Sequence, residues 1–444
     1  MRISVIGTGY VGLVSGVCLA ETGHQVVCVD VDSSKVAQIL RGVPPIHEEG
    51  LENLLRRNLG LRFSATGDLR SAVLGSDVTL VAVGTPFDGT RIDLSQVRAA
   101  AEDIGAALKD TNGYHVVVVK STVVPGTTAT VVRPLLEQAS GKRAGVDFGV
   151  GVNPEFLTEG QAIRDFMKPD RIVLGADDTR AMQVLDDLYA VFQDTPKIRT
   201  NPSTAEMIKY SSNALLATAI SFSNEIANLC AALGDVDIVE VMEGVHASSY
   251  FTVTGPEGRS TRAAITSFFE AGSGFGGSCL PKDVKALVAH GEGLGVAMPL
   301  LRSVLRVNEA QPGQILRALE KHFPSLAGLR IAVLGLAFKP DTNDVRESPA
   351  FPVIRLLLDR KASVKAYDPV AVHEARKVLG SAVGYAGTLE ECLHDVDAVI
   401  LLTRWREFES VPGMLSALKA PPLVLDGRRQ LDKRTVARYA GIGL

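Results

Sequence analysis

Residues 2–30 constrain the fold of this chain more than any other stretch. Arg2-Ile3-Ser4-Val5-Ile6 reads as a strand and runs into Gly7-Thr8-Gly9-Tyr10-Val11-Gly12. A helical apolar pattern follows at Leu13, Val14, Val17, Leu19 and Ala20 and closes at Gly23. Residues 25–29 then read as a second strand ending in Asp30. Strand, Gly-x-Gly-x-x-Gly, helix, strand and acid form the dinucleotide-binding pattern, which commits the chain to a parallel α/β sheet. Gly7 permits the tight turn, Gly9 lets a pyrophosphate approach, and Gly12 lets helix pack on strand. The helix N-terminus at Tyr10 and Val11 offers free N–H groups to phosphate oxygens. Asp30 is placed to accept from ribose hydroxyls, which favours NAD over NADP. Lys35 either contacts the ribose edge or is solvated.

The alternation continues. Residues 78–83 form a buried strand pattern ending in Gly84-Thr85-Pro86, and residues 116–120 form another ending in Ser121-Thr122. Ligands of open parallel sheets bind beyond the carboxyl ends of the strands, so Thr85 and Thr122 read as cofactor-facing hydroxyls. Residues 148–152 are the next strand and lead into Asn153-Pro154-Glu155-Phe156-Leu157-Thr158-Glu159-Gly160. Glu155 and Glu159 share a face if that segment is helical.

From Ala205 to about Leu233 the chain lacks Gly and Pro and carries apolar residues at helical spacing. That is long for a globular helix and suits a spine between two domains that also offers a dimer surface. Lys209 and Asn213 fall on one face of it. Residues 246–262 read as irregular. Gly274-Phe275-Gly276-Gly277-Ser278-Cys279-Leu280-Pro281-Lys282-Asp283 combines flexible backbone with one thiol, an ammonium and a carboxylate. Pro281 suits a first helical turn, so Cys279 is expected at a helix entrance, where the dipole favours a thiolate. A lone cysteine is otherwise a small buried hydrophobe. Residues 284–290 and 300–305 read as helices, and Gln311-Pro312-Gly313 leads to a second start.

Residues 330–334 read as a strand ending in Gly335-Leu336-Ala337-Phe338-Lys339-Pro340, without the later glycines of the first pattern. Strands at 363–366, 398–402 and 423–425 follow. The expected fold class is α/β, with two doubly wound Rossmann-like domains joined by a long central helix. Residues 1–200 form the dinucleotide domain, 201–310 a helical dimerisation domain carrying the cysteine loop, and 311–444 the second Rossmann-like domain. In that last domain the altered turn is not expected to bind a dinucleotide; Lys339, Lys365, Arg346 and Arg404 suit phosphates instead.

At 444 residues the chain exceeds one core. Net charge −4 argues against nucleic acid or an anionic membrane as main partner. No signal-peptide pattern follows Met1, no stretch reads as long enough to span a bilayer, and the five cysteines lack zinc spacing. These features predict a cytoplasmic protein without a metal.

Taken together, GxGYVG at 7–12, GTP at 84–86, STVVPGTT at 121–128, NPEFLTEG at 153–160, EMIKYSSN at 206–213, GFGGSCLPKD at 274–283 and FKPDTNDVRES at 338–348 resemble the UDP-glucose/GDP-mannose dehydrogenase family. The likeness covers nearly the whole chain. It implies a homodimer or higher oligomer that oxidises a sugar-nucleotide alcohol to the acid with two NAD. By resemblance, Cys279 is the nucleophile, Lys209 steadies the oxyanion, and Asn213 holds that oxygen and the sugar. Asp283 and Thr122 position water or relay a proton, and Glu159 serves thioester hydrolysis. The resemblance also implies cofactor contact at Lys282, Arg346, Thr122 and Glu159. Substrate contact is implied at Glu155, Phe156, Leu157, Glu159, Phe268, Phe269, Gly272, Gly276 and Lys339.

For the sugar nucleotide, residues 144–151 and Leu280 are similar to GDP-mannose dehydrogenases. Residues 165–173, 366–369, 402–408 and 426–428 are similar to the UDP-glucose branch. The carboxyl-terminal domain binds the nucleotide in this family, so UDP-glucose is the expectation. Residues 246–267 look longer than the corresponding link in relatives, with Arg262 favoured over Arg259 as the arginine that reaches substrate. A catalytically silent binding protein and a two-electron alcohol dehydrogenase remain the competing readings.

Overall fold

The structure, a computed structural model, describes residues 1–255 and 259–444; residues 256–258 of the 246–267 link lie outside the described residues. The chain divides into two compact units, residues 1–212 and 213–444.

The first unit holds eight strands: β1 (Arg2–Ile6), β2 (Gln25–Val29), β3 (Phe63–Thr66), β4 (Val78–Val81), β5 (His115–Val119), β6 (Phe148–Val152), β7 (Ile172–Ala176) and β8 (Lys197–Thr200). Their order is β3-β2-β1-β4-β5-β6-β7-β8. Neighbours are parallel except β6 and β7. Every residue of β4, β5 and β6 is buried, as a sheet covered on both faces requires. Alternation divides the core in two. Ile3, Val5, Val116 and Val118 pack with the Tyr10–Glu21 helix, while Ile6, Val81, Val117 and Val119 pack with Val97, Ile104 and Leu136 on the other face.

In the second unit a short antiparallel hairpin, β9 (Thr252–Thr254) and β10 (Ser260–Arg262), occupies part of the segment expected to be irregular. The main sheet follows: β11 (Arg330–Leu334), β12 (Ser363–Tyr367), β13 (Gly384–Tyr385), β14 (Ala398–Leu401), β15 (Leu423–Asp426) and β16 (Tyr439–Gly441). Its order, β13-β12-β11-β14-β15-β16, repeats that of β3-β2-β1-β4-β5-β6. Both sheets reverse direction beside their first strand, where doubly wound folds place ligands.

Two helices depart from the sequence reading. Pro299–Glu320 is one helix through Pro312, so Gln311-Pro312-Gly313 is not a break. A buried stripe of Leu301, Val304, Gln311, Ile315, Leu316 and Leu319 keeps it helical despite the missing N–H. Pro202–Leu233 is long and apolar enough, by length and composition alone, to cross a bilayer. Yet buried Glu206, Lys209, Asn213, Ser221, Ser223 and Asn224 interrupt it. Glu206 accepts from Gly126 N, Thr128 N and Thr128 Oγ1 at 2.6–2.9 Å. Those are the contacts of a helix packed into protein.

A polar chain crosses the first sheet. Ser4 and Thr79 share a hydrogen bond of 2.7 Å, Thr79 Oγ1 meets His115 Nε2 at 2.7 Å, and His115 Nδ1 meets Ser76 O at 3.1 Å. Burial pushes the His115 imidazole down to about 4. The unfolded chain therefore takes up this proton first as pH falls, and stability is lost between about pH 6.5 and 4. The loss from this site is expected to be on the order of 3 kcal/mol. Urea unfolding of wild type and His115→Leu across that range checks it. A wild-type slope that survives in the variant assigns the acid sensitivity elsewhere.

Candidate active site

In the first unit the site is built on strand ends. Gly7, directly after β1, has φ 102°, and a Cβ on Gly12 would fall 2.0 Å from Gly7 O. Both positions require glycine, and together they open the N-terminus of the Tyr10–Glu21 helix. Asp30, directly after β2, accepts from Thr8 N at 2.9 Å and Thr8 Oγ1 at 2.5 Å, and its other oxygen accepts from Asp32 N at 3.0 Å. Burial opposes its ionisation, but those bonds and the nearby Lys35 ammonium hold the carboxyl below its ordinary value. The half-buried carboxylate, the helix N-terminus and the close-packed glycines fit a dinucleotide.

Beyond β5 and β6 lies a buried charged cluster. Lys209 Nζ pairs with Glu155 Oε1 at 3.0 Å, with both side chains about one-twentieth exposed. Glu155 Oε2 accepts from Leu157 N at 2.6 Å. Burial disfavours the carboxylate, but Lys209, the Leu157 N–H and Lys120 outweigh it and hold the carboxyl below the usual range. Lys120 donates to Asn153 Oδ1 at 2.9 Å. Burial pushes its ammonium down to about 8, against the pull of Glu155. The Phe156 ring lies 5.4 Å from Lys209 Nζ and 4.1 Å from the Arg171 guanidinium, so it backs two cations.

The loop from Asn153 to Gly160 is not helical, so Glu155 and Glu159 do not share a helical face as expected. Glu155 turns inward and closes its own loop, while Glu159 is half-buried. Glu48, from a loop that the sequence reading passed over, accepts from Gly160 N and Ala162 N, each at 2.7 Å, and from the Tyr10 hydroxyl. Thr85 also departs from expectation. It is buried, and its hydroxyl donates to Thr122 O at 2.8 Å instead of facing a cofactor.

In the second unit Cys279 is the N-cap of the Leu280–Gly293 helix, with Pro281 in the first turn, as the sequence predicts. Its Sγ lies 3.5 Å from Ser278 Oγ. Asp283, fully buried in that turn, accepts from Lys282 Nζ at 2.5 Å and Asn213 Nδ2 at 2.6 Å. A cleft of about 250 Å³ opens at the ends of β11, β14 and β15, lined by Phe268, Gly276, Leu280, Phe338, Lys339, Thr403, Arg404 and Arg428 among others. A Cβ on Gly276 would fall 2.2 Å from Glu347 O, so the cysteine loop meets this segment only through glycine. Gly272 packs less tightly, with a Cβ there falling 3.0 Å from Gly427 O and 3.3 Å from the Arg428 side chain. Arg428 donates to Leu402 O at 2.7 Å and Gly274 O at 2.9 Å, and burial pushes its guanidinium down to about 10. Arg404 pairs with Glu270.

Several expected residues lie elsewhere. Phe269 packs on Phe222, Phe251 and His246, with ring centroids 5.6–6.3 Å apart, and does not line the cleft. Arg262 is exposed on β10. Lys365 donates to Glu391 O and His394 O, which makes it a helix cap and not a phosphate ligand. Arg346 is exposed and forks onto Asp344 at 2.6–2.9 Å, while its carbonyl accepts from Gly277 N. Lys120 was missed because it follows the unbroken valine run 116–119 and reads as the last residue of that strand.

Comparison with known proteins places this geometry. Models of the UDP-glucose/GDP-mannose dehydrogenase family match residues 1–193 (NAD binding domain), 203–310 (central domain) and 332–433 (UDP binding domain). The chain belongs to that family. UDP-glucose 6-dehydrogenase TuaD of Bacillus subtilis (strain 168) is 43% identical, over 99% of this chain and 92% of TuaD. A GDP-mannose 6-dehydrogenase of Pseudomonas putida is 38% identical over the full length of both chains. The structure of a UDP-glucose dehydrogenase from the hyperthermophilic archaeon Pyrobaculum islandicum matches with TM-score 0.89 and 42% identity, covering 99% of this chain and 97% of that one. The chain is thus a nucleotide-sugar dehydrogenase whose cofactor is NAD, and the NAD binding domain match covers residues 1–193 of the first unit.

Removing Lys209 leaves Glu155 buried with Lys120 as its remaining cation. Lys209→Met is expected to lower the unfolding free energy by about 3–5 kcal/mol at pH 7. The wild-type pair contributes while Glu155 is ionised and fades as pH drops through its lowered native value. In the variant the stranded carboxyl protonates at higher pH, so the penalty shrinks on acidification. Urea unfolding at pH 7 and pH 5 measures this. An equal penalty at both assigns the loss to packing.

Proposed function

We propose that the chain converts UDP-glucose to UDP-glucuronate by a four-electron oxidation through a covalent Cys279 intermediate. The observation that carries this reading is the cleft of the second unit. Its cations Lys339, Arg404 and Arg428 suit a pyrophosphate, Phe338 and Phe268 supply apolar walls, and its rim includes Gly276 and Leu280 of the cysteine loop. The resemblance of residues 402–408 and 426–428 to the UDP-glucose branch falls on this cleft, while of the GDP-mannose-like residues only Leu280 lines it and 144–151 lie in and before β6. TuaD at 43% identity supports the same choice.

NAD, when bound, supplies the hydride acceptor for both oxidations. In this reading the sugar C6 alcohol becomes an aldehyde, and the Cys279 thiolate adds to it as a thiohemiacetal. Oxidation of that adduct gives a thioester. Water then adds, the C–S bond breaks, and the acid leaves with Cys279 restored. Lys209 and Asn213 steady the oxygen that carries developing negative charge. The helix N-terminus at Cys279 favours the thiolate. Asp283 and Thr122 position water or a proton, and Glu159 acts as the base toward the hydrolytic water. Lys282 and Arg346 complete the cofactor side. Arg262, exposed on the hairpin, is assigned to substrate.

We also infer a homodimer or higher homo-oligomer in the cytosol. Leu215, Phe222, Leu229 and Leu233 on the Pro202–Leu233 helix are 51–61% exposed, and the first three repeat every seven residues. An apolar stripe of that spacing suits a second copy of the helix.

UDP-glucose is expected to yield two NADH per sugar, with GDP-mannose at least tenfold poorer in kcat/KM, a gap of about 1.4 kcal/mol. Steady-state NADH formation with a panel of UDP- and GDP-sugars decides it. One NADH per sugar indicates a two-electron dehydrogenase, and preference for GDP-mannose moves the substrate to the other branch.

Cys279→Ser should retain NAD binding and lose at least a hundredfold in kcat, about 2.7 kcal/mol, because a serine hydroxyl is not ionised near neutral pH. Near wild-type turnover would remove Cys279 as nucleophile.

A further inference from the structure

The loop that carries Glu159 has no regular structure, yet carboxylates accept from four backbone N–H groups in it and at the helix start that follows. Leu157 N donates to Glu155 Oε2 at 2.6 Å and Thr158 N to Asp165 Oδ2 at 2.8 Å. The last two flank Glu159 on its far side: Gly160 N donates to Glu48 Oε2 and Ala162 N to Glu48 Oε1, both at 2.7 Å. Gly160 has φ 82°, so the turn also requires glycine.

Glu48 is buried and does a second task. The Tyr10 hydroxyl donates to Glu48 Oε2 and accepts from Gly160 N at 3.0 Å. Tyr10 is the first residue of the Tyr10–Glu21 helix, whose N-terminus is the seat for the dinucleotide phosphates. Burial and the Glu48 carboxylate keep the phenol protonated far above its ordinary value, with Glu159 adding in the same sense, so it remains a donor. The Ala162–Met167 helix has no cap from its own Gln161 side chain. A local Asp or Ser would satisfy that end at less desolvation cost than a buried glutamate from a distant loop. What the distant carboxylate adds is a link between two segments that a local cap cannot join: the cofactor helix and the Glu159 turn.

We propose that Glu48 is a positioning residue for thioester hydrolysis, holding the Glu159 turn in register with Tyr10 and the first turn of the cofactor helix. This rests on the reading of Glu159 as the base toward water. Glu48 touches neither reacting atoms nor water in that role; it fixes where the base stands. An amide in its place offers one acceptor oxygen and turns an NH2 group against a backbone N–H, so one of the two loop bonds is lost.

The test is stopped-flow NADH formation with wild type, Glu48→Gln, Glu48→Asp and Tyr10→Phe, each saturated with NAD and UDP-glucose. Glu48→Gln is expected to show a rapid burst approaching two NADH per site, followed by a steady rate at least tenfold below wild type. KM for NAD and for UDP-glucose should stay within about threefold of wild type. Tyr10→Phe, which keeps the ring and deletes one bond, should shift in the same direction by a smaller factor, and Glu48→Asp should recover part of the steady rate. If Glu48→Gln does not fold, a burst with slowed turnover in Tyr10→Phe carries the proposal, and wild-type behaviour of Tyr10→Phe overturns it. An unchanged steady rate, a defect confined to NAD affinity, or a slowed first phase without a burst also overturns it. Wild type separates the two levels: if it does not release two NADH per UDP-glucose, the functional reading itself fails. If it does and the variants show no burst, only the role of Glu48 fails.

Discussion

A carboxylate at the end of the second strand anchors the ligand crevice of each sheet. In the first unit Asp30 pins the turn after β1 through Thr8 N and Thr8 Oγ1. In the second unit Asp368, directly after β12, pins the turn after β11 through Leu336 N and Ala337 N at 2.8 and 3.0 Å. Gly7 and Gly335 stand at matching points, with φ 102° and 97°. Without a fixed turn after the first strand, neither sheet would keep an open crevice where its strand order reverses. The two units then diverge at this one group. Asp30 is half-buried and retains an outer edge. Asp368 is 2% exposed and takes further bonds from Val370 N, Ala371 N and Trp405 Nε1. An acid with five donors has nothing left for a ribose, so the second crevice is open to a different part of a nucleotide.

That contrast bears on what the sequence made legible. The centre of the first sheet was readable because β4 and β5 are short apolar, valine-rich runs and the turn after β1 carries three glycines at fixed spacing, whereas β3, with the sequence Phe-Ser-Ala-Thr, was not read. The position of Cys279 was readable because Pro281 marks a first helical turn. Edge strands β13 and β16, with two and three residues, carry too little periodicity to be seen. The Pro299–Glu320 helix was read only over 300–305, with a new start at 311–313, because proline and glycine are local signals, while the buried stripe that overrides them is a tertiary one. Site residues follow the same division. Gly7, Gly12 and Asp30 sit in a local pattern. The Lys209–Glu155 pair joins residues 54 positions apart, and the link from Glu48 to Ala162 spans 114. No periodicity encodes such pairs; they exist only once strand ends gather.

Charge distribution separates the site from the rest of the molecule. The chain as a whole is slightly acidic, with net charge −4. Its candidate site carries buried and half-buried cations. Lys209 pairs with the buried Glu155 carboxylate, which Lys120 also faces, and Lys339, Arg404 and Arg428 line the cleft, where Arg404 pairs with Glu270. Desolvating a cation is unfavourable, and the lowered values at Lys120 and Arg428 express that cost. The surrounding fold tolerates it because neighbouring carbonyls and Asn153 take the donors.

Desolvation of these cations has a consequence for binding. An anion entering either cluster recovers the electrostatic stabilisation that burial withheld, in a medium where each contact is worth more than in water. A solvated surface lysine offers no such gain, because water already satisfies it. In the proposed reaction, affinity for a diphosphate and stabilisation of a developing oxyanion would draw on the same structural device, placed once in each unit. The acidic exterior does not oppose it, since exposed charges more than about 8–10 Å away are screened at physiological ionic strength while the buried cations are screened much less.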